Sequence, residues 1–142
     1  MNRFGTFENF ERALSIMSKS DARALVTVDD DDMENVHSCG PVTVCDDSFA
    51  FAVDYKDKAF WDLLKNPAAQ IMCCDKQSGD TVLVSGDVEI DMSDFGKAEY
   101  FGKKPEMVST IGERLDSMAV CLLTRATAVI FDDGKIIKAN LY

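Results

Sequence analysis

Apolar residues near the start of the chain recur at three- and four-residue steps: Phe7, Phe10, Leu14 and Met17. That spacing predicts an amphipathic helix, with Thr6 as its N-cap and its end between Ser18 and Asp21. The pattern then changes. Ala24-Leu25-Val26-Thr27-Val28 is a short, nearly continuous apolar run, which predicts a largely buried strand. The acidic run Asp29 to Asp32 follows. A calcium loop would need acidic residues at alternate positions and then glycine, but this run continues Met33-Glu34-Asn35, so a solvated hairpin turn is expected. Val36 to Cys45 reads as a second strand broken at Gly40-Pro41, where a bulge or an edge leaves backbone open to a ligand. Asp46-Asp47-Ser48 turns the chain into Phe49-Ala50-Phe51-Ala52-Val53, a third strand with both phenylalanines on one face.

The helical period returns over Asp57 to Lys65, where Ala59, Phe60, Leu63 and Leu64 share a face and Asn66-Pro67 ends the helix. Ala69 to Cys74 predicts a fourth strand. Thr81 to Ile90 predicts a long fifth one, with Gly86 marking a sharp bend. Ser93 to Gly102 and Pro105 to Leu115 predict two helices, the first capped by Ser93 and the second opened by Pro105. Ala119 to Phe131 is a sixth strand bent near Arg125. Asp132-Asp133-Gly134 is a tight turn, and Lys135 to Leu141 closes the set. The expected class is mainly β with a minor α component: an antiparallel barrel of six to seven strands with peripheral helices, forming one domain over residues 1–142.

Composition narrows the functions open to such a chain. Its 142 residues suit one domain, and a core of that size needs no metal or disulfide staple. Lys plus Arg number 15 against 25 Asp plus Glu, a net charge of −10, which disfavours nucleic acid and anionic membrane surfaces as partners. No apolar stretch is long enough to span a bilayer. Met1 to Thr6 carries one arginine and no apolar run, so no secretory signal is expected and a cytoplasmic location is. Five cysteines, Cys39, Cys45, Cys73, Cys74 and Cys121, form no C-x-x-C pair. With one histidine, His37, they read as reduced, small apolar side chains rather than metal ligands.

The chain has no nucleophile elbow, Walker loop, dinucleotide fingerprint or zinc-protease helix. A Cys39–His37 dyad would lack a third group to orient the imidazole. Trp61, the single tryptophan, lies off the apolar stripe of its helix and reads as ordinary packing or as a stacking surface. Met107, Ile111 and Leu115 step by four along a helix and read as core or interface.

Four features in order give the chain a resemblance to the pyridoxamine 5′-phosphate oxidase-like, FMN-binding split barrels. They are the buried strand Ala24–Val28 after an N-terminal helix; Val36-His37-Ser38-Cys39-Gly40-Pro41-Val42, a polar strand ending in proline; Phe49–Val53 followed by Lys56-Asp57-Lys58 and Leu63-Leu64-Lys65-Asn66-Pro67; and Val84-Ser85-Gly86-Asp87-Val88 with Arg125–Ile130 as a closing strand. The resemblance implies a homodimer with FMN in the groove between two barrels. It implies a flavin-dependent oxidoreductase whose second substrate is NAD(P)H or another small redox partner. The alternatives are a non-catalytic carrier of flavin or another small ligand such as haem, and a dimer with a vestigial pocket. It points to His37, Ser38, Gly40, Pro41, Val42, Thr43, Ala52, Val53, Lys56 and Lys58 as cofactor contacts, and to no catalytic side chain. Where many relatives carry an arginine on the second strand, this chain has His37-Ser38-Cys39-Gly40.

Overall fold

The computed structural model describes residues 3–20 and 22–141. Helix α1 (Arg3–Lys19) precedes β1 (Ala22–Val28), β2 (Glu34–Ser38), β3 (Thr43–Cys45) and β4 (Ser48–Asp54). Helix α2 (Lys58–Lys65) leads to β5 (Ala68–Cys74) and β6 (Thr81–Asp91). Helices α3 (Asp94–Lys103) and α4 (Pro105–Ile111) and a 3₁₀ turn (Gly112–Ser117) lead into β7 (Met118–Asp132) and β8 (Lys135–Asn140). All pairings are antiparallel, in the order β2-β1-β5-β6-β7-β4-β3, with β8 also on β7. The predicted architecture holds, with eight strands among the described residues instead of six or seven.

The extra strand comes from the Gly40-Pro41 break. Residues 34–45 are two strands at opposite ends of the strand order, not one strand with a bulge: β2 pairs with β1, and β3 pairs with β4. Proline has no N–H to give a ladder, so the chain leaves one edge there and crosses to the other. The crossing is held from two sides. Arg23 Nε donates to the Gly40 carbonyl at 3.0 Å, and the buried Tyr100 hydroxyl donates to the Pro41 carbonyl at 2.7 Å.

The two edge regions meet through the core. Leu25, Ile71, Val82 and Val84 from one side of the sheet join Phe49, Phe51, Cys121 and Ile130 from the other in one buried cluster. Helix α1 covers it with Ala13, Ile16 and Met17, and Phe10 stacks flat on Phe49 with ring centroids 4.5 Å apart. Thr6 is an interior position of α1 and not its N-cap, because the helix begins at Arg3; Asp21, the outer limit expected for its end, lies outside the described residues. The other face of β4 and β7 packs Ala50, Ala52 and Val120 beneath Tyr100, Phe101 and Ile111 of α3 and α4. Strand β4 is thus buried on both faces, which explains its unbroken apolar sequence.

Turn chemistry follows the sequence closely. Asp46 and Asp47 both take positive φ between β3 and β4, as do Asp133 and Gly134 between β7 and β8, the geometry of two-residue hairpins. Helix α4 ends at Ile111 rather than running to Leu115, because Gly112 turns the backbone to a positive φ (56°) that only glycine takes readily. The expected bend in β7 is a bulge: Arg125 takes φ 49°, and the register shifts opposite Gly86 between Ser85 and Asp87. All five cysteines are free thiols, with Cys45, Cys73 and Cys121 buried.

One sheet face carries an apolar row bordered by the polar residues Ser38, Gln70, Ser85 and Lys138. Paired residues form a row Ala24–Met72–Leu83–Val129, flanked by the Val26–Val36 pair. Val36 is 71% and Met72 47% exposed, so this apolar face is open.

Gly86 carries the prediction from this section. A Cβ there would sit 2.6 Å from the Thr124 carbonyl oxygen and 3.2 Å from Leu123. Gly86→Ala is expected to destabilise the protein by about 1–3 kcal/mol, the usual cost of forcing atoms into a packed site, read as a lower midpoint in urea unfolding.

Candidate functional site

The split between β2 and β4 opens into a cleft of about 770 Å³. One wall is His37 and Ser38 of β2 with Gly40 and Pro41 of the crossing. A second is Ala52, Val53 and Asp54 of β4 with Asp57, Lys58 and Ala59 at the start of α2. Glu106, Met107, Ile111, Arg114 and Met118 close the third side. Seven expected contact residues therefore converge: His37, Ser38, Gly40, Pro41, Ala52, Val53 and Lys58. Three do not line the cleft. Val42 is buried in the main core, Thr43 starts β3 where it pairs with Ala50, and Lys56 is an exposed turn residue whose backbone N–H donates to Asp54 Oδ1 at 3.0 Å.

Sequence reasoning missed Asp62, which does not line the cleft but binds two residues that do, Lys58 directly and His37 through Thr27. Helix α2 buries Ala59, Phe60 and Leu63, but Leu64 is 52% exposed and Asp62 takes the remaining buried place. Asp62 Oδ1 accepts from Lys58 Nζ at 2.9 Å, one helical turn earlier. Its Oδ2 accepts from the fully buried Thr27 hydroxyl at 2.8 Å and from Asn35 Nδ2 at 3.3 Å. His37 Nε2 lies 2.9 Å from Thr27 Oγ1 and 3.8 Å from Asp62 Oδ2. The sequence held one partial signal, Lys58 four residues before Asp62 at the spacing of a helical ion pair, but nothing in it pointed to Thr27 or Asn35.

Burial is the largest single influence on Asp62 and opposes its charge. The hydrogen bonds from Lys58 and Thr27, with the charges of Lys58 and His37, together outweigh it and hold the carboxyl below the ordinary aspartate range. The same contact raises Lys58 above the ordinary lysine range, its hydrogen bond to Asp62 being the main cause. Asp29, in the turn after β1, lies 3.6 Å from Lys58 Nζ. It is lowered to about 2, chiefly by the Asn35 side chain and then by the Met33 amide. The acidic run is the solvated turn that was expected, with Asp29 Oδ1 accepting from the Asp31 and Met33 amides. Cys39 forms no dyad with His37, since burial pushes its thiol up to about 12 and His37 bonds to Thr27 instead.

The cleft can be tested against FMN from its lining. Pro41, Ala52, Val53, Ala59, Met107, Ile111 and Met118 make an apolar wall, and the volume is in the range of small-molecule sites. His37, Ser38, Lys58 and Arg114 supply polar and cationic groups. Lys58 spends donors on Asp62 and Asp29, but an ammonium has three, so one is left. Asp54, Asp57 and Glu106 oppose an anion. The lining thus combines an apolar wall with two cations, Lys58 and Arg114, which suits a flat ring bearing an anionic tail. Trp61 is half-exposed and edge-on to Phe60, outside the cleft wall.

No protein-family model and no curated protein matches the chain. Solved structures do. A NimC/NimA family protein from Clostridium acetobutylicum superposes with a TM-score of 0.82 at 20% identity, over 99% of this chain and all of the other. A second protein of that organism, related to general stress protein 26 and described as of the pyridoxinephosphate oxidase family, gives 0.70 at 16% identity over 99% and 97%. The fold is the pyridoxamine 5′-phosphate oxidase-like split barrel. A heme binding protein from Mycobacterium smegmatis shares it, with a TM-score of 0.69 at 16% identity over 92% of this chain and 57% of that one. In this split barrel, no helix among the described residues is long and apolar enough to cross a membrane.

The lowered carboxyls set an acid limit on stability. Asp29 and Asp62 bind protons less readily folded than unfolded, so they stabilise the fold above the ordinary aspartate value of 3.8, and that contribution is lost as pH falls below it, for Asp29 down to about 2. Asp62→Asn is expected to cost about 1–3 kcal/mol at neutral pH and to make the loss below pH 3.8 shallower, measured by urea unfolding across that range.

Proposed function

We propose that the protein is an FMN-binding flavoprotein acting as an oxidoreductase, its cofactor held where two copies of the chain meet. The observation that carries this reading is the cleft itself. An apolar wall faces His37, Ser38 and Lys58 across the split of the barrel. Support for a homodimer comes from the open apolar sheet face. Ser38 belongs to both regions: it lines the cleft and pairs with Ala24, which stands in the apolar row beside Met72. A second copy covering that face would border the ligand. Exposed apolar patches of this kind mark association sites.

When bound, FMN supplies the redox chemistry, taking a hydride from a donor such as NAD(P)H and passing electrons to an acceptor. The chain supplies the slot, the polar rim and the cations. This explains why no acid–base or nucleophilic motif stands out in the sequence. The net charge of −10 makes the local cations decisive, because the field of the whole molecule repels a phosphate.

The visible spectrum of the purified protein, followed by flavin fluorescence titration, tests the reading. A yellow protein, or one that quenches added FMN, supports it, and anaerobic bleaching by NAD(P)H then separates an enzyme from a carrier. A colourless protein indifferent to FMN overturns it. Lys58→Ala is expected to weaken FMN binding by about 1–3 kcal/mol, the range of a charge-assisted hydrogen bond. Sedimentation is expected to show a dimer, and the double variant Val36→Glu, Met72→Glu a monomer, since two charges per chain would have to be buried unpaired.

A further inference from the structure

His37 is the only histidine in the chain, and its surroundings leave its ring little freedom. Asp62 is a carboxylate, so it can only accept hydrogen bonds. The Thr27 hydroxyl, fully buried and 2.8 Å from Asp62 Oδ2, must give its single proton to that oxygen. Thr27 Oγ1 then has only lone pairs to offer His37 Nε2 at 2.9 Å. The hydrogen bond between them can form in one sense alone, with Nε2–H donating. The other ring nitrogen, Nδ1, has no partner among the described residues. It is not a buried atom either, since every buried side-chain nitrogen and oxygen among them has a partner. The ring belongs to a residue of the cleft wall.

We propose that Asp62, acting through Thr27, is a positioning residue that locks His37 as the Nε2–H tautomer, so that Nδ1 is the lone pair presented to a ligand in the cleft. Neutral His37 is then an acceptor and selects a ligand with an N–H or O–H at that point, such as the imide N–H of a flavin ring. The carboxylate does two separate jobs with its two oxygens. Oδ1 holds Lys58, the cation, and Oδ2 sets the hydrogen-bonding sense of His37. The ligand part of this inference rests on the flavin reading above; the tautomer does not.

A single histidine makes the measurement unambiguous. Long-range ¹H–¹⁵N correlation of the ligand-free protein, well above the ordinary imidazole range at about pH 8.5, reads both ring nitrogens directly. A proton on Nε2 with a bare Nδ1 is expected. A proton on Nδ1, or on both nitrogens, overturns the proposal. Thr27→Val is expected to lower the ratio of the two tautomers several-fold, and Thr27→Ser, which keeps the hydroxyl, to preserve it. An unchanged ratio in Thr27→Val overturns the relay, and a circular dichroism spectrum confirms that each variant is folded. Titration with FMN then separates the two readings. Binding with a shift of the Nδ1 resonance supports the contact, and binding without one removes it. Absence of binding removes the flavin reading alone, while the ligand-free spectrum still decides the tautomer.

Discussion

One buried carboxylate, Asp62, constrains the ligand-facing half of this molecule. Asp62 is almost fully enclosed, so its charge is tolerable only while its oxygens are satisfied. Three groups from three elements do that: Lys58 of α2, Thr27 of β1 and Asn35 of β2, with His37 of β2 bonded to Thr27 beside them. The helix is therefore fixed against the β1–β2 hairpin at one point, by polar contacts, while Phe60 and Leu63 fix it by packing. Shifting α2 along the sheet would uncouple both sets together. The cleft wall formed by Lys58 and Ala59 takes its position from that anchor.

The same arrangement explains how an acidic protein can keep a basic spot. Lys58 is not a lysine left over on the surface. It is held in place by Asp62 and by Asp29 of the turn after β1. The cost is that its charge is partly compensated, so the cleft reads as polar and only weakly cationic. Arg114, from the 3₁₀ turn on the far side, widens the distribution of positive charge around the opening.

Much of this was legible in the sequence. The strands Ala24–Val28, Phe49–Val53 and Thr81–Ile90, the helix ended by Asn66-Pro67, and the aspartate-rich turns all follow from local rules that the tertiary structure does not overrule. Seven of ten expected contact residues meet in one cleft for the same reason: they flank strand ends that the fold gathers. What escaped was non-local. Nothing in the run from Val36 to Cys45 says that its halves belong to opposite edges. Nothing in the α2 periodicity ranks Asp62 above Leu64, because the partners that make it burial-worthy sit 27 and 35 residues away. Met107, Ile111 and Arg114 joined the site only through the packing of α4 against β4.

Strand β7 deserves its length. It pairs with β6 along nearly all its extent, with β4 over its first half and with β8 over its second, the bulge at Arg125 marking the change of partner. Strand β4 thus leaves the ribosome long before the strand that completes it, since Phe51 waits for Cys121. Until then its apolar residues have only the short β3 beside them. Assembly is governed by contacts distant in sequence, which makes folding slow and places a premium on shielding the nascent chain. Truncation a few residues before the end of β7 would remove a small part of the mass, yet would delete β8 outright and strip β6 of its last partners on β7.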